Sequence, residues 1–144
     1  MTLHTLAQSY LIKATKRLAA LDTLMDLEDY SDVIREAQEI VELVLKGILR
    51  QAGIDPPKQH DVGNFLVEFR ERLPGPVREN IARLAEISKW LRKEREFAFY
   101  GDVDFIPTEE YIREDAERAR ADARFVVSIA SRVIPLPGGP GENV

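Results

Sequence analysis

Apolar residues recur along this chain at steps of three and four rather than two, a pattern that predicts helices and no strands. From about Thr2 to Leu24 the positions Leu3, Leu6, Tyr10, Ala14, Leu18 and Leu21 make a single stripe. From about Asp29 to Ala52 the apolar set is broader. Val33, Ala37, Ile40, Val41, Val44, Leu45, Ile48, Leu49 and Ala52 cover more than one neighbour can bury, so this segment is predicted to be the central helix. Gly53 sits where a left-handed cap ends a helix, and Pro56-Pro57 forbids continuation. A short helix is predicted through Phe69, with His60-Asp61 at its start. A third long helix is predicted from Pro76, which suits a first turn, to about Phe99, where Gly101 limits it. The fourth is predicted from Thr108 as N-cap, with a stripe of Ile112, Ala116, Ala119, Ala123, Val126, Ala130 and Val133. A stripe so rich in alanine lets a neighbour approach closely.

The predicted fold class is therefore all-α, an up-and-down bundle of four long helices plus one short one. Residues 1–134 form the helical domain and the Pro/Gly-rich 135–144 a disordered tail. At 144 residues one core can be buried without disulfides or metals. No cysteine is present, which excludes thiol nucleophiles and thiolate zinc sites. No apolar run approaches the roughly 20 residues that span a bilayer, so the protein is expected to be soluble and cytoplasmic, with no membrane partner. A net charge of −5 argues against broad attachment to duplex nucleic acid and leaves room only for a local basic site.

Candidate chemistry gathers near the end of the third long helix. At about 100° per residue, Leu84, Ser88, Leu91, Arg95, Ala98 and Asp102 lie within about 40° either side of one line, which gives Arg95 a core-facing position. A charge placed there must be paired or reach water. One reading is a structural ion pair with Glu39 or Glu42. The other is a cleft residue that holds an anion, for which a planar guanidinium is suited. Glu96, Tyr100 and Asp102 add two carboxylates and a phenol. In an unbroken helix Arg95 and Tyr100 point about 140° apart, so their convergence is expected to need the helix to end or bulge before Tyr100. The aromatics Phe97, Phe99 and Tyr100 equally suit plain packing. Lys89, Arg92 and Lys93 form a basic rim diluted by Glu94 and Glu96. His60 beside Asp61 reads as a capping or surface pair. With His4 the only other histidine, no histidine-rich metal site can be built, and no metal or cofactor is expected. Glu39 and Glu42 have the spacing of di-metal bundles but lack the partner Glu-x-x-His motifs. Gln38, Glu42 and Lys46 make a polar line on the central helix.

The segments Ala37-Gln-Glu-Ile-Val-Glu-Leu-Val-Leu-Lys46, His60-Asp-Val-Gly63 and Arg95-Glu-Phe-Ala-Phe-Tyr-Gly-Asp102 resemble the HEPN domain (higher eukaryotes and prokaryotes nucleotide-binding). The likeness extends over nearly all the chain before the tail. It implies a helical bundle that forms a homodimer, with the two signature helices facing one cleft. Many such domains are metal-independent ribonucleases, and others pair with a minimal nucleotidyltransferase in two-component or toxin-antitoxin systems. Arg95 matches the family arginine and Glu96 its polar position, but Tyr100 stands where ribonuclease members carry histidine. Histidine moves protons near neutrality; tyrosine is a poor base there. The tyrosine that nucleotidyltransferases modify follows that histidine, and Asp102 occupies the later position here. Gln38 and Glu42 are expected to support Arg95 across the bundle.

Three roles follow. The preferred one is a dimer whose cleft, lined by Arg95, Glu96, Tyr100 and Asp102, binds a nucleotide or the phosphates of single-stranded RNA and which partners a nucleotidyltransferase. The second is a metal-independent endoribonuclease with Arg95 and Tyr100 as its catalytic candidates, and the third is a helical scaffold.

Overall fold

The computed structural model describes residues 5–58 and 61–137. Among these the regular elements are helical, apart from one antiparallel bridge between Asp102 and Phe105. Helix α1 (Leu6–Asp26) starts at Thr5, whose hydroxyl accepts from Gln8 N at 3.1 Å while the Gln8 side chain accepts from Thr5 N at 2.9 Å. This reciprocal pair satisfies amides that the first helical turn leaves open. Leu3 and His4 lie outside the described residues. The buried face of α1 runs through Ala7, Leu11, Ala14, Leu21 and Met25, and Leu6 is exposed. The seam is thus turned by about one residue from the predicted stripe, because the small residues allow the closest approach. Gly47 of α2 makes the matching recess: a Cβ there would stand 3.4 Å from Tyr10 Cβ.

Helix α2 (Tyr30–Gln51) is central, packing on α1, on α5 (Ile81–Phe99) and on α7 (Arg113–Val133). Of its predicted core positions only Ala52 is not fully buried. It ends as its sequence dictates. Gly53 adopts φ 77°, its amide donates to Arg50 O and Ile54 N donates to Leu49 O at 2.9 Å.

Helix α3 (Val62–Glu68) is capped by Asp61, whose carboxylate accepts from Gly63 N at 2.9 Å; a 3₁₀ turn over Arg70–Arg72 follows. His60 lies outside the described residues. The helix predicted from Pro76 to Phe99 is broken in two, into α4 (Gly75–Arg78) and α5. The cause is Asn80: its side-chain amide donates to Pro76 O at 2.7 Å, taking the carbonyl that its own N–H would use in a continuous helix.

The last helix also begins later than predicted. Thr108 falls inside a single turn, α6 (Pro107–Glu110), and Tyr111 and Ile112 are extended before α7 starts. That break turns the Tyr111 ring into the core against Phe105, with its hydroxyl donating to Glu94 Oε2 at 2.8 Å. Burial, and then the Glu94 carboxylate, push the Tyr111 phenol well above its usual pKa and keep it protonated. Asp115 then accepts from Ile112 N at 3.0 Å and caps α7. Within α7, Ala116, Ala119, Ala123, Val126 and Ala130 are wholly buried, while Ile112 is exposed. Residues 138–144 of the predicted tail lie outside the described residues. No helix among the described residues is long and apolar enough to cross a membrane.

Candidate functional site

The seam between α2 and α5 is closed at one end and open at the other. Leu84, Ile87 and Leu91 close the first part of α5 onto the core. One turn further the same face carries Arg95, whose side chain is 47 % exposed, and the helices frame a cleft of about 620 Å³. The two helices run antiparallel here, with Glu39 beside Arg95 and Arg35 beside Phe99.

One wall is a polar stripe on α2. Arg35, Gln38, Glu42 and Lys46 follow at intervals of three, four and four, one residue per turn, beside the apolar face. The other wall is α5, which supplies Arg92, Arg95, Glu96, Phe99 and Tyr100; Lys58 enters from the α2–α3 connection. The lining carries five basic side chains and two carboxylates; with Glu39, which lies against Arg35 and Arg95, the local net charge is +2 in a chain whose total is −5. A concave wall with a net positive charge favours the approach of anions.

Glu39 is the anchor of this charge. Its carboxylate lies 2.6 Å from Arg17 of α1, 3.5 Å from Arg35 and 3.6 Å from Arg95. Arg17 also makes a forked pair with Glu36, at 2.6 and 3.0 Å. The hydrogen bond that Arg17 donates to Glu36 leads in raising the Arg17 pKa above its usual value. Glu39 is committed first to Arg17 by the short contact. Arg35 and Arg95 are held at longer range, oriented yet able to donate into the cleft. The Arg35 guanidinium also lies over the Phe99 ring, 4.1 Å from its centroid, and Phe99 meets Tyr100 edge to face at 4.7 Å. Tyr100 itself is 77 % exposed. This end therefore presents aromatic surface and guanidinium together.

Gln38 lies deeper, 5 % exposed. Its Nε2 donates to Glu42 Oε2 at 3.2 Å, and Glu42 is held in turn by Lys46 Nζ at 3.8 Å. Its Oε1 is buried and has no hydrogen-bond partner among the described residues. Leaving such an acceptor unmatched costs about 1–3 kcal/mol.

The structure brings together Arg95, Glu96, Tyr100, Gln38 and Glu42. It does not bring Asp102, which is bridged to Phe105 by two backbone hydrogen bonds and whose carboxylate accepts from Val103 N at 2.6 Å. Arg95 and Tyr100 reach the same cleft: α5 ends at Phe99, before Tyr100 as expected, although Tyr100 keeps right-handed backbone angles and its N–H donates to Glu96 O before Gly101 turns left-handed at φ 68°. The cleft is wide enough to be lined from both flanks of α5, with Arg92, Glu96 and Phe99 between them. The support for Arg95 comes from Glu39, one of the two carboxylates foreseen for an ion pair, rather than from Gln38 and Glu42. Of the basic rim, Arg92 lines the cleft while Lys89 and Lys93 do not. Sequence reasoning missed Arg35 and Lys58. Arg35 was legible as the next residue up the Gln38–Glu42–Lys46 line; Lys58, in a loop after two prolines, carried no periodic signal. Among the described residues no group of histidines and carboxylates has the geometry to hold a metal ion.

Chemically the arrangement offers an anion site with a stacking surface. The family model of the HEPN domain matches residues 7–133. No curated protein and no solved structure matches the chain.

Proposed function

Since the chain belongs to the HEPN domain family, we propose that it is a homodimeric binding module that holds a nucleotide or the phosphates of single-stranded RNA in the α2–α5 cleft, at the subunit interface. The observation that carries this reading is the concentration of five cations and exposed aromatic surface in one cleft of a net acidic protein. Arg95 and Arg35 hold phosphate, Phe99 and Tyr100 stack on a base, and Glu96 orients the cations or accepts from a sugar. Binding is favoured over cleavage because Tyr100 occupies the place of the family histidine, and a phenol is a weak general base near neutral pH. The dimer reading is supported by Phe97, Phe99, Tyr100 and Val103, large apolar or aromatic residues left exposed at the C-terminal end of α5 and in the turn that follows it. A minimal nucleotidyltransferase is the protein partner that this family resemblance suggests.

The test is a titration of fluorescent single-stranded RNA at low salt with EDTA, following binding and strand integrity, with light scattering on the same sample. Wild type is expected to be dimeric and to bind intact RNA, and Arg95→Ala is expected to weaken binding at least tenfold with helix content unchanged. Equal binding by the variant would sink the cleft assignment, and Arg95-dependent cleavage would replace the binding module with a nuclease. A monomer that binds RNA would remove the dimer from the reading.

A further inference from the structure

The cations of the cleft hold phosphate but do not tell one nucleotide from another. Gln38 is different. It is nine-tenths buried, it lines the cleft, and its Oε1 has no partner among the described residues. The orientation of the amide is forced, because the Glu42 carboxylate only accepts and so must face Nε2. Lys46 fixes Glu42 from its other side. What is left pointing away from this network is an acceptor, and an acceptor repels phosphate oxygens instead of binding them.

We infer that Gln38 is the specificity-determining residue of the cleft, whose Oε1 receives a hydrogen bond from a donor on the non-phosphate part of the bound nucleotide, a base amine or the ribose 2′-hydroxyl. This rests on the reading of the cleft as a nucleotide or RNA site. Its position on α2 suits that role. Gln38 stands one turn, about 4.5 Å, along the axis from Arg35 and about 12 Å from Lys46. With phosphate held by Arg35 and Arg95 and the base against Phe99 and Tyr100, the sugar or base edge of the ligand would pass Gln38, one turn from Arg35. The free protein already carries the unmatched acceptor, so a ligand with a donor there relieves a standing cost that one without it leaves in place, and that difference is the discrimination.

Calorimetry on the full chain distinguishes the two donor sources. Wild type, Gln38→Met and Arg95→Ala are titrated with adenosine 5′-monophosphate and an adenylate pentanucleotide. Each is repeated with two analogues, one lacking the exocyclic amine (purine riboside) and one lacking the 2′-hydroxyl (2′-deoxy). Gln38→Met is expected to bind the parent ligands roughly tenfold more weakly. One analogue is expected to lose the same factor on wild type and nothing further on Gln38→Met, and which one does so names the donor. The analogue series on wild type needs no variant to fold. If both analogues bind wild type as tightly as the parents, or if Gln38→Met matches wild type while Arg95→Ala loses binding, the inference fails and the cleft stands. Absence of binding by wild type to both parent ligands would remove the inference together with the proposed function.

Discussion

The central helix α2 meets α7 and α5 by opposite means. Against α7 the contact is dry: Ala116, Ala119, Ala123 and Ala130 are wholly buried, and the small side chains let the two axes come close. Against α5 the apolar run of Leu84, Ile87 and Leu91 gives way to Arg95, Glu96 and the half-exposed Phe99, with Ala98 still buried between them, and the seam opens into the charged cleft. One face of α2 is therefore spent on holding the bundle together and the adjoining face on presenting charge. The lesson is that a helix can be both the core of a small domain and one wall of its site when its polar residues keep to a single stripe.

The sharpest way to break this comparison is to spoil the dry seam. Ala123→Leu inserts a branched side chain where nothing is exposed, and the expected loss is about 3 kcal/mol of stability, read from the urea midpoint. The same residue placed at the cleft, as in Glu96→Leu, is expected to be nearly neutral for stability. A smaller effect sharpens the electrostatic side. Asp32, in the first turn of α2, has its pKa pushed up to about 6, chiefly by burial and then by its hydrogen bond and repulsion with Asp29, against partial relief from Arg35. The folded state therefore holds a proton that the unfolded chain releases near pH 4, so stability should fall as pH rises from about 4 to 6 and level off above that window. Asp32→Asn is expected to flatten that slope and to gain about 1 kcal/mol at pH 7 relative to wild type, allowing for solvent screening. An unchanged slope in urea melts across the window would show that Asp32 is not its source. The smallest expected effect is the coupling of Arg95 to Glu39. With a 3.6 Å separation and a half-exposed guanidinium, a double-mutant cycle should give about 0.5 kcal/mol or less. Coupling of several kcal/mol would make Arg95 a structural residue and return the α5 seam to the same class as the α7 seam.

Much of this division could be read along the chain. The breadth of the apolar set on α2, its stop at Gly53 and the alanine stripe of α7 are local patterns that survive into the structure. So is the anomaly of Arg95, a cation on a line of core positions. The break at Tyr111 was not legible, because it depends on the phenol reaching Glu94 across the fold, whereas the break at Asn80 is a local contact with the Pro76 carbonyl, of the kind asparagine makes in competition with a helix, that apolar periodicity does not register.

Periodicity and caps, which act over neighbours within a few turns, are enough to give the helical class, the central helix and the place along α5 where the cleft opens. The packing of the helices is what sets Glu39 rather than Glu42 against Arg95, brings Lys58 into the cleft, turns Asp102 to its own loop, and leaves Gln38 with a buried, unmatched acceptor. These outcomes depend on which helix faces share a seam and how far apart they stand, and no spacing within one helix encodes that distance.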